Sequence, residues 1–196
     1  MICVMTISKD VDPRIERTRR VVLEATAELI GECGFGRTSI EAISERCGVA
    51  RSTIYRHWPD RSELLLETVV KRMGSVEATD TGDFRSDLIR VYSHLGSLLT
   101  DQETRSLAAS FIAESNRDPE LGALHTEFTQ ARRKRSSGLI KKAVDRGDLP
   151  PETDCDQMAD DLAAGIFFRA LILHQPTDEE WIESHVDRWI SAYSTG

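Results

Sequence analysis

The sequence predicts an all-α protein of nine helices. Three observations carry that reading. Apolar residues recur at spacings of three and four nearly throughout. No stretch alternates in the way of a half-buried strand. Hydroxyl or Asp starts and Gly or Pro stops punctuate the chain at helical intervals.

The elements follow in order. Ile15, Val22, Ala25, Leu29 and Cys33 form one stripe, and Gly34 closes the first helix. Thr38 with Glu41 has the spacing of a capping box for a short helix carrying Ile40, Ile43 and Cys47 inward. Gly48 breaks that helix. A second short helix runs from about Ala50 to His57, with Ile54 inward and Trp58 closing the core. Pro59 stops it, and Asp60 with Glu63 starts the next, expected over 60–75. Residues 76–83 read as a loop. Phe84, Leu88, Val91, Leu95 and Leu98 mark an amphipathic helix, and Leu107, Phe111 and Ile112 mark another. Asp118-Pro119-Glu120 opens a long helix ending at Gly147. Leu149-Pro150-Pro151 is a linker. Asp154 with Gln157 caps a helix to about His174, and Thr177 with Glu180 caps the last, which carries Ile182, Val186, Trp189 and Tyr193.

The chain has 196 residues, enough for one domain or two small ones without disulfide or metal staples. Its formal net charge is −8, which argues against a protein that coats nucleic acid by bulk charge. The charge is uneven. Residues 1–74 carry 12 basic and 11 acidic side chains, whereas residues 75–196 carry 13 and 22. Only the N-terminal third is suited to meet phosphates. Cys3, Cys33, Cys47 and Cys155 form no CxxC pair and have no His at zinc-ligand spacing, so reduced thiols, no metal and no cofactor are expected. MICVMTISKD is too short and polar for a signal peptide, and Met5 is an alternative start. The longest apolar run, Leu162 to Leu173, is 12 residues with Arg169 inside it, where a membrane span needs about 20. No membrane partner and a cytoplasmic location are expected.

Two short helices at 39–47 and 50–57, joined by a tight turn at Gly48, make a helix-turn-helix. Such a unit lays its second helix in the major groove of duplex DNA, with the N-terminal residues at base edges. Arg51 can contact a guanine bidentately, Ser52 and Thr53 offer hydroxyls and a methyl, and Tyr55 and His57 can reach phosphates. Arg61 opens the following helix, where its side chain and the backbone amides could hold a phosphate together. From Arg46 to Arg61 there are four arginines and one acid, a local reversal of the protein's sign. A solvated helical face with ordinary charges would look the same by composition.

The pattern TSIEAISERCGVARSTIYRHWPDRSELL, within residues 14–66, resembles the DNA-binding region of the tetracycline-repressor family of bacterial regulators. The likeness rests on Thr38-Ser39, Gly48-Val49, Thr53-Ile54-Tyr55, His57-Trp58, and Arg61 before Glu63-Leu64-Leu65. It implies DNA contacts from Ser39, Arg51, Ser52, Thr53, Tyr55, Arg56, His57 and Arg61, with Thr38 in the same interface. Ala50 departs from the family, which usually places a capping Ser there. The stretches AESNRDPELG, RGDLPPETD and GIFFRALIL look, more loosely, like one of the family's effector-domain subclasses. The resemblance implies a helix-turn-helix domain over 12–60 and a ligand-binding and dimerisation domain over 61–196. It implies a regulator, by family default a repressor, that binds a pseudo-palindromic operator in double-stranded DNA as a homodimer and is released by a small-molecule effector.

The helix around Leu162 to Leu173 is apolar on nearly every face, so it needs cover on more than one side. A second copy is the simplest cover. The expected interface is Leu162, Ile166, Ala170, Leu173, Ile182, Val186 and Trp189. A central core helix in a monomer is the alternative. Candidate effector-pocket residues are Phe111, Phe128, Phe167 and Phe168, with His125 and Arg169 for polar recognition. Most aromatics at such spacing are ordinary core, and His125 reads as a solvated helix residue. Arg169 either pairs with an acid such as Asp161 or Glu114 or anchors an acidic ligand. The acidity of this half favours cationic effectors, if it is more than solubilising charge. The run Arg132-Arg133-Lys134-Arg135 reads as solvated charge on a long helix rather than a nucleic-acid patch, and Asp160-Asp161 as a surface pair.

Two other classes are open. A metal-carboxylate bundle enzyme needs Glu-x-x-His, which the sequence lacks, along with HExxH, GxSxG and a Gly-rich phosphate loop. The protein is therefore expected not to be an enzyme. A helix-turn-helix used as a scaffold for protein contacts is separated from a regulator only by DNA binding.

Overall fold

The computed structural model describes residues 13–74 and 78–194. The choice between Met1 and Met5, Cys3, residue 12 and the first part of the expected loop at 76–83 lie outside them. The described residues are all helical or irregular, with no strand, and hold nine α-helices. These are α1 (Pro13–Cys33), α2 (Ile40–Cys47), α3 (Arg51–His57), α4 (Arg61–Met73), α5 (Phe84–Thr100), α6 (Gln102–Ser115), α7 (Pro119–Arg146), α8 (Cys155–Phe167) and α9 (Glu179–Ser194). A 3₁₀ turn, Phe35–Arg37, and a π segment, Phe168–Ile172, were not expected from sequence.

The chain divides into two compact units within α4, between Val69 and Val70, where the sequence reading put the boundary at 60/61. The first turns of α4 belong with the first unit because Leu64 is part of its core. Glu67 also ties α4 to α1 and to Trp58, accepting from Arg19 Nη2 at 2.5 Å and from the indole Nε1 at 2.8 Å.

In the first unit Val22, Leu23, Leu29, Ile40, Ile43, Ile54, Trp58 and Leu64 form one buried cluster. Ile15 is 41% exposed, so the apolar stripe of α1 starts at Val22. Arg46 on α2 reaches back to Glu28 and Glu32 on α1. The cap of α2 differs from the expected Thr38. Ser39 Oγ accepts from Ala42 N at 3.1 Å, while Thr38 is buried with its hydroxyl on the Gly34 carbonyl. Neighbouring hydroxyls compete for the cap, and the one withdrawn into the fold loses.

In the second unit α5 packs on α6, α8 and α9, α7 on α6 and α8, and α8 on α9. The core is built from Leu88, Tyr92, Leu95, Leu99, Leu139, Ile140, Met158, Leu162, Ile166, Ile182 and Val186, among others. Asp118 and Asp154 cap α7 and α8 as their spacing predicts. For α9 the cap is Asp178, which accepts from Trp181 N, and not Thr177. Thr177 is buried and donates instead to the Gly96 carbonyl on α5 at 2.8 Å.

Gly165 sets the approach of α8 to α9. A Cβ there would stand 2.4 Å from His185 Cε1. His185 cannot swing clear, because its ring stacks on Trp181 at 4.7 Å and its Nε2 lies 3.0 Å from the Leu162 carbonyl. Gly165→Ala is therefore expected to destabilise the protein by about 1–3 kcal/mol through overpacking. Thermal unfolding followed by circular dichroism checks this, and an unchanged Tm would contradict it.

Candidate nucleic-acid interface

The second unit's core sorts the dimer candidates first. Leu162, Ile166, Ala170, Ile182 and Val186 are all buried inside the single subunit. They have no surface left to bury against a second copy, so their expected place in an interface is corrected. The helix needed cover on several sides, and α5, α7 and α9 supply most of it. Leu173 is exposed, and Trp189 is half-buried against the core. The π segment interrupts the 3.6-residue period after Phe167 and turns Phe168 and Ile172 outward.

The candidate pocket residues separate too. Phe111 is buried and meets the ring of half-buried His125 edge-on at 4.9 Å, and His125 Nδ1 lies 3.1 Å from Ser115 Oγ. Burial pushes the His125 pKa down. Phe128 and Phe167 are half-buried. Phe168 is 55% exposed and does not face the interior. Arg169 pairs with neither Asp161 nor Glu114. Its Nε donates to the Pro176 carbonyl at 2.6 Å and its Nη1 to Gln175 Oε1, with the guanidinium over Trp181. It fastens the turn before α9. Asp161 accepts instead from Tyr193 and Gln157. Arg132, read as solvated, is half-buried with its guanidinium 5.5 Å from the Phe128 ring centroid.

The helix-turn-helix is built from its turn outward. Gly48 caps α2 at φ 69°, the left-handed region, and its N–H donates to the Ser44 carbonyl. Ser44 Oγ then donates to the Val49 carbonyl at 2.7 Å and pins the turn. Helix α3 is anchored at one face by Ile54 and at its C-terminus by Trp58, both buried. Its opposite face carries Arg51, Ser52, Tyr55 and Arg56, all exposed, on successive turns of one side. Thr53 and His57 are half-buried flanks, and Ser39 is half-buried at the start of α2. Burial, with Arg19 and Arg56 nearby, pushes the His57 pKa below its usual value, which favours a neutral imidazole that can still donate to a phosphate. This is a short, cationic helix face with donors that suit bases and phosphates.

Two expected contacts do not belong to that face. Thr38 is buried and cannot reach DNA. Arg61 turns its side chain inward, with Nε donating to the Thr38 carbonyl at 2.7 Å and Nη2 to the Phe35 carbonyl. It positions the 3₁₀ turn and the start of α2. The face also includes an acid, Glu41, whose carboxylate accepts from Arg51 Nη1 at 3.1 Å. Residues ten apart across a turn leave no periodic signal in sequence. The pair is exposed, and such pairs are weak and salt-screened, so DNA can displace it.

Ala50 caps α3 with no side-chain hydrogen bond. Ala50→Ser is expected to stabilise the first unit by about 1 kcal/mol, by supplying the side-chain cap acceptor that Ala50 lacks. Hydrogen exchange of the α3 amides measures it, and unchanged protection would contradict it.

Comparison with known proteins agrees with this geometry. Residues 22–68 match the description "Bacterial regulatory proteins, tetR family", and residues 78–189 match "Tetracyclin repressor-like, C-terminal domain". An uncharacterised HTH-type transcriptional regulator of Mycobacterium tuberculosis is 28% identical over 170 residues, covering 85% of this chain and 82% of that protein. The uncharacterised HTH-type transcriptional regulator YdeS of Bacillus subtilis is 27% identical over 181 residues, covering 91% of each chain. Among solved structures, a SmeT–triclosan complex aligns with TM-score 0.72 at 23% identity over 91% of this chain and 92% of that one. NalD, the secondary repressor of the MexAB-OprM efflux pump in Pseudomonas aeruginosa, aligns with TM-score 0.69 at 21% identity over 92% and 97%. With both units matched and the outer face of α3 exposed, the chain belongs to the tetracycline-repressor family of helix-turn-helix transcriptional regulators.

Proposed function

We propose that the protein is a repressor that binds a pseudo-palindromic operator as a homodimer and releases it when a small molecule binds the C-terminal unit. The observation that carries the DNA-binding half is the free face of α3, where Arg51, Ser52, Tyr55 and Arg56 stand exposed over a buried Ile54 and Trp58. In this reading Arg51 and Ser52 meet base edges, and Tyr55, Arg56 and His57 hold phosphates. Ser39 and Thr53 flank the same groove. Two such helices about 34–36 Å apart read half-sites one turn apart.

The homodimer reading draws on Phe168, Ile172 and Leu173, large apolar side chains exposed together after α8, with Trp189 on α9 beside the core. Exposed apolar patches of this kind mark association sites. Effector control would run through α4, whose residues belong to both units. A ligand that prefers one arrangement of the dimer shifts the population. Moving it from 1:99 to 99:1 takes roughly 10⁴-fold differential affinity. The protein would act in the cytoplasm, next to the chromosome. Among the described residues no helix is long and apolar enough to cross a membrane, and no group of His, Cys, Asp and Glu could hold a metal.

A gel-shift titration of the full chain on the DNA upstream of its own gene tests this. Sequence-specific binding near 10⁻⁸ M in moderate salt is expected. Only weak binding that vanishes with salt would favour a protein-contact scaffold.

A further inference from the structure

The inward face of α7 is unusual. At about 100° per residue, Leu121, His125, Phe128, Arg132, Ser136, Leu139 and Ala143 fall in one stripe about 80° wide. Its ends are core: Leu121, Leu139 and Ala143 are buried. Its middle is not, since α7 buries no residue between Leu121 and Ser137. The centre of the stripe is half-buried, and Phe128 is not among the side chains packed against the unit's core.

A guanidinium occupies that centre. Arg132 lies over the Phe128 ring, and no hydrogen bond or ion pair reaches it among the described residues. Acids are not scarce nearby. Arg133, one residue on and about 100° round the helix, takes Asp160 with two nitrogens and Asp156 with a third. Tyr92 on α5, whose hydroxyl donates to the Ala159 carbonyl, supplies no countercharge, because burial pushes its phenol up to about 12. Burial likewise holds the Arg132 guanidinium below its usual value, with Arg135 adding repulsion. Charges withdrawn from water are normally paired. Among the described residues this one lies over an aromatic face, and no carboxylate pairs with its N–H edge.

We propose that the effector site takes a small organic anion, a carboxylate on an apolar ring-sized body, with Arg132 holding the carboxylate and Phe128 packing against the body. This rests on the ligand-responsive reading above and names its ligand class. A guanidinium can keep its face on an aromatic ring while its edge grips a carboxylate bidentately. The acidity of the second unit does not oppose this. Its acids are mostly at the surface, where salt screens them beyond about 8 Å, whereas a half-buried charge acts at contact range.

Calorimetric titration of the full-length chain with 2-naphthoate and its neutral isostere 2-naphthamide tests the proposal. The wild type is expected to bind the carboxylate at least about tenfold tighter than the amide. Arg132→Met should erase that preference and, having lost a charge without a partner, melt no lower than wild type. Equal affinities, no binding of naphthoate at 10 mM, or a preference that survives in Arg132→Met would overturn it. Should Arg132→Met not fold, Arg132→Lys keeps the charge but loses the fork, and should bind naphthoate about threefold or more weakly. An unchanged affinity there would overturn the proposal as well. Loss of the dimer in Arg132→Met would assign the guanidinium to the second copy and overturn it too. Operator release, read in parallel by fluorescence anisotropy, separates this inference from the one beneath it. If naphthamide alone released DNA, the ligand-responsive reading would stand and the anionic class would fall. If naphthoate bound through Arg132 and left DNA bound, the anion site would stand and effector release would fall.

Discussion

Arg51→Ala is expected to relax the operator preference at one position of each half-site, raising the dissociation constant for the best sequence about 10- to 100-fold and leaving weak, salt-dependent binding to random DNA. The side chain starts α3, stands 61% exposed, and is held by an exposed hydrogen bond to Glu41. A bidentate contact from such a position to a guanine is worth about 1–3 kcal/mol of discrimination. The phosphate contacts, which carry the non-specific term, are left intact. Tyr55→Phe gives the contrast. In the proposed reading it removes one phosphate donor, and it should weaken all sequences alike. Competition gel shifts with operator and with substituted half-sites distinguish the two. An Arg51→Ala chain with unchanged preference would move the base-reading role off α3.

Trp58→Ala is expected to have the larger effect on stability. The indole is buried at the end of α3, donates to Glu67, and lies under the Arg19 guanidinium at 4.7 Å. Truncating a buried Trp costs about 3–5 kcal/mol through lost packing and the void left behind. Glu67 also loses a donor while Arg19 still holds it. A unit this small has little stability in reserve. The expected outcome is loss of DNA binding with loss of amide protection in α1 to α3, while α5 to α9 stay protected. Hydrogen exchange by mass spectrometry reads both units at once. Wild-type protection of α3 in this variant would contradict the packing account. Trp58→Phe, which keeps most of the volume but not the hydrogen bond, should fall between.

Helix count, order and most ends were legible because they rest on local chemistry. Gly48 and Gly147 take left-handed caps, and Asp118 and Asp154 accept first-turn amides, all within a few residues of the ends they mark. The two faces of α3 were legible for the same reason: Ile54 inward and Arg51, Tyr55 and Arg56 outward follow from helical period alone. What escaped depends on partners far along the chain. Arg61 looks like a phosphate ligand until the carbonyls of Phe35 and Thr38 claim it from 26 and 23 residues away. Thr177 looks like a cap until Gly96 takes its hydroxyl from α5. The helix around Leu162 was correctly read as needing cover on several sides, but its cover lies within the same chain. Arg132 sat inside a run of like charges, and only its register with Leu121 and Leu139 distinguished it from Arg133.

A repressor of the proposed kind needs α3 to read base sequence in a pair of grooves. Selection from a random duplex library with the full chain, at moderate salt, measures that directly. The predicted result is an enriched inverted repeat whose half-sites are centred about one helical turn apart, with one position in each that loses its preference in the Arg51→Ala chain. Recovery of no enriched sequence, or of a motif indifferent to Arg51, would contradict it.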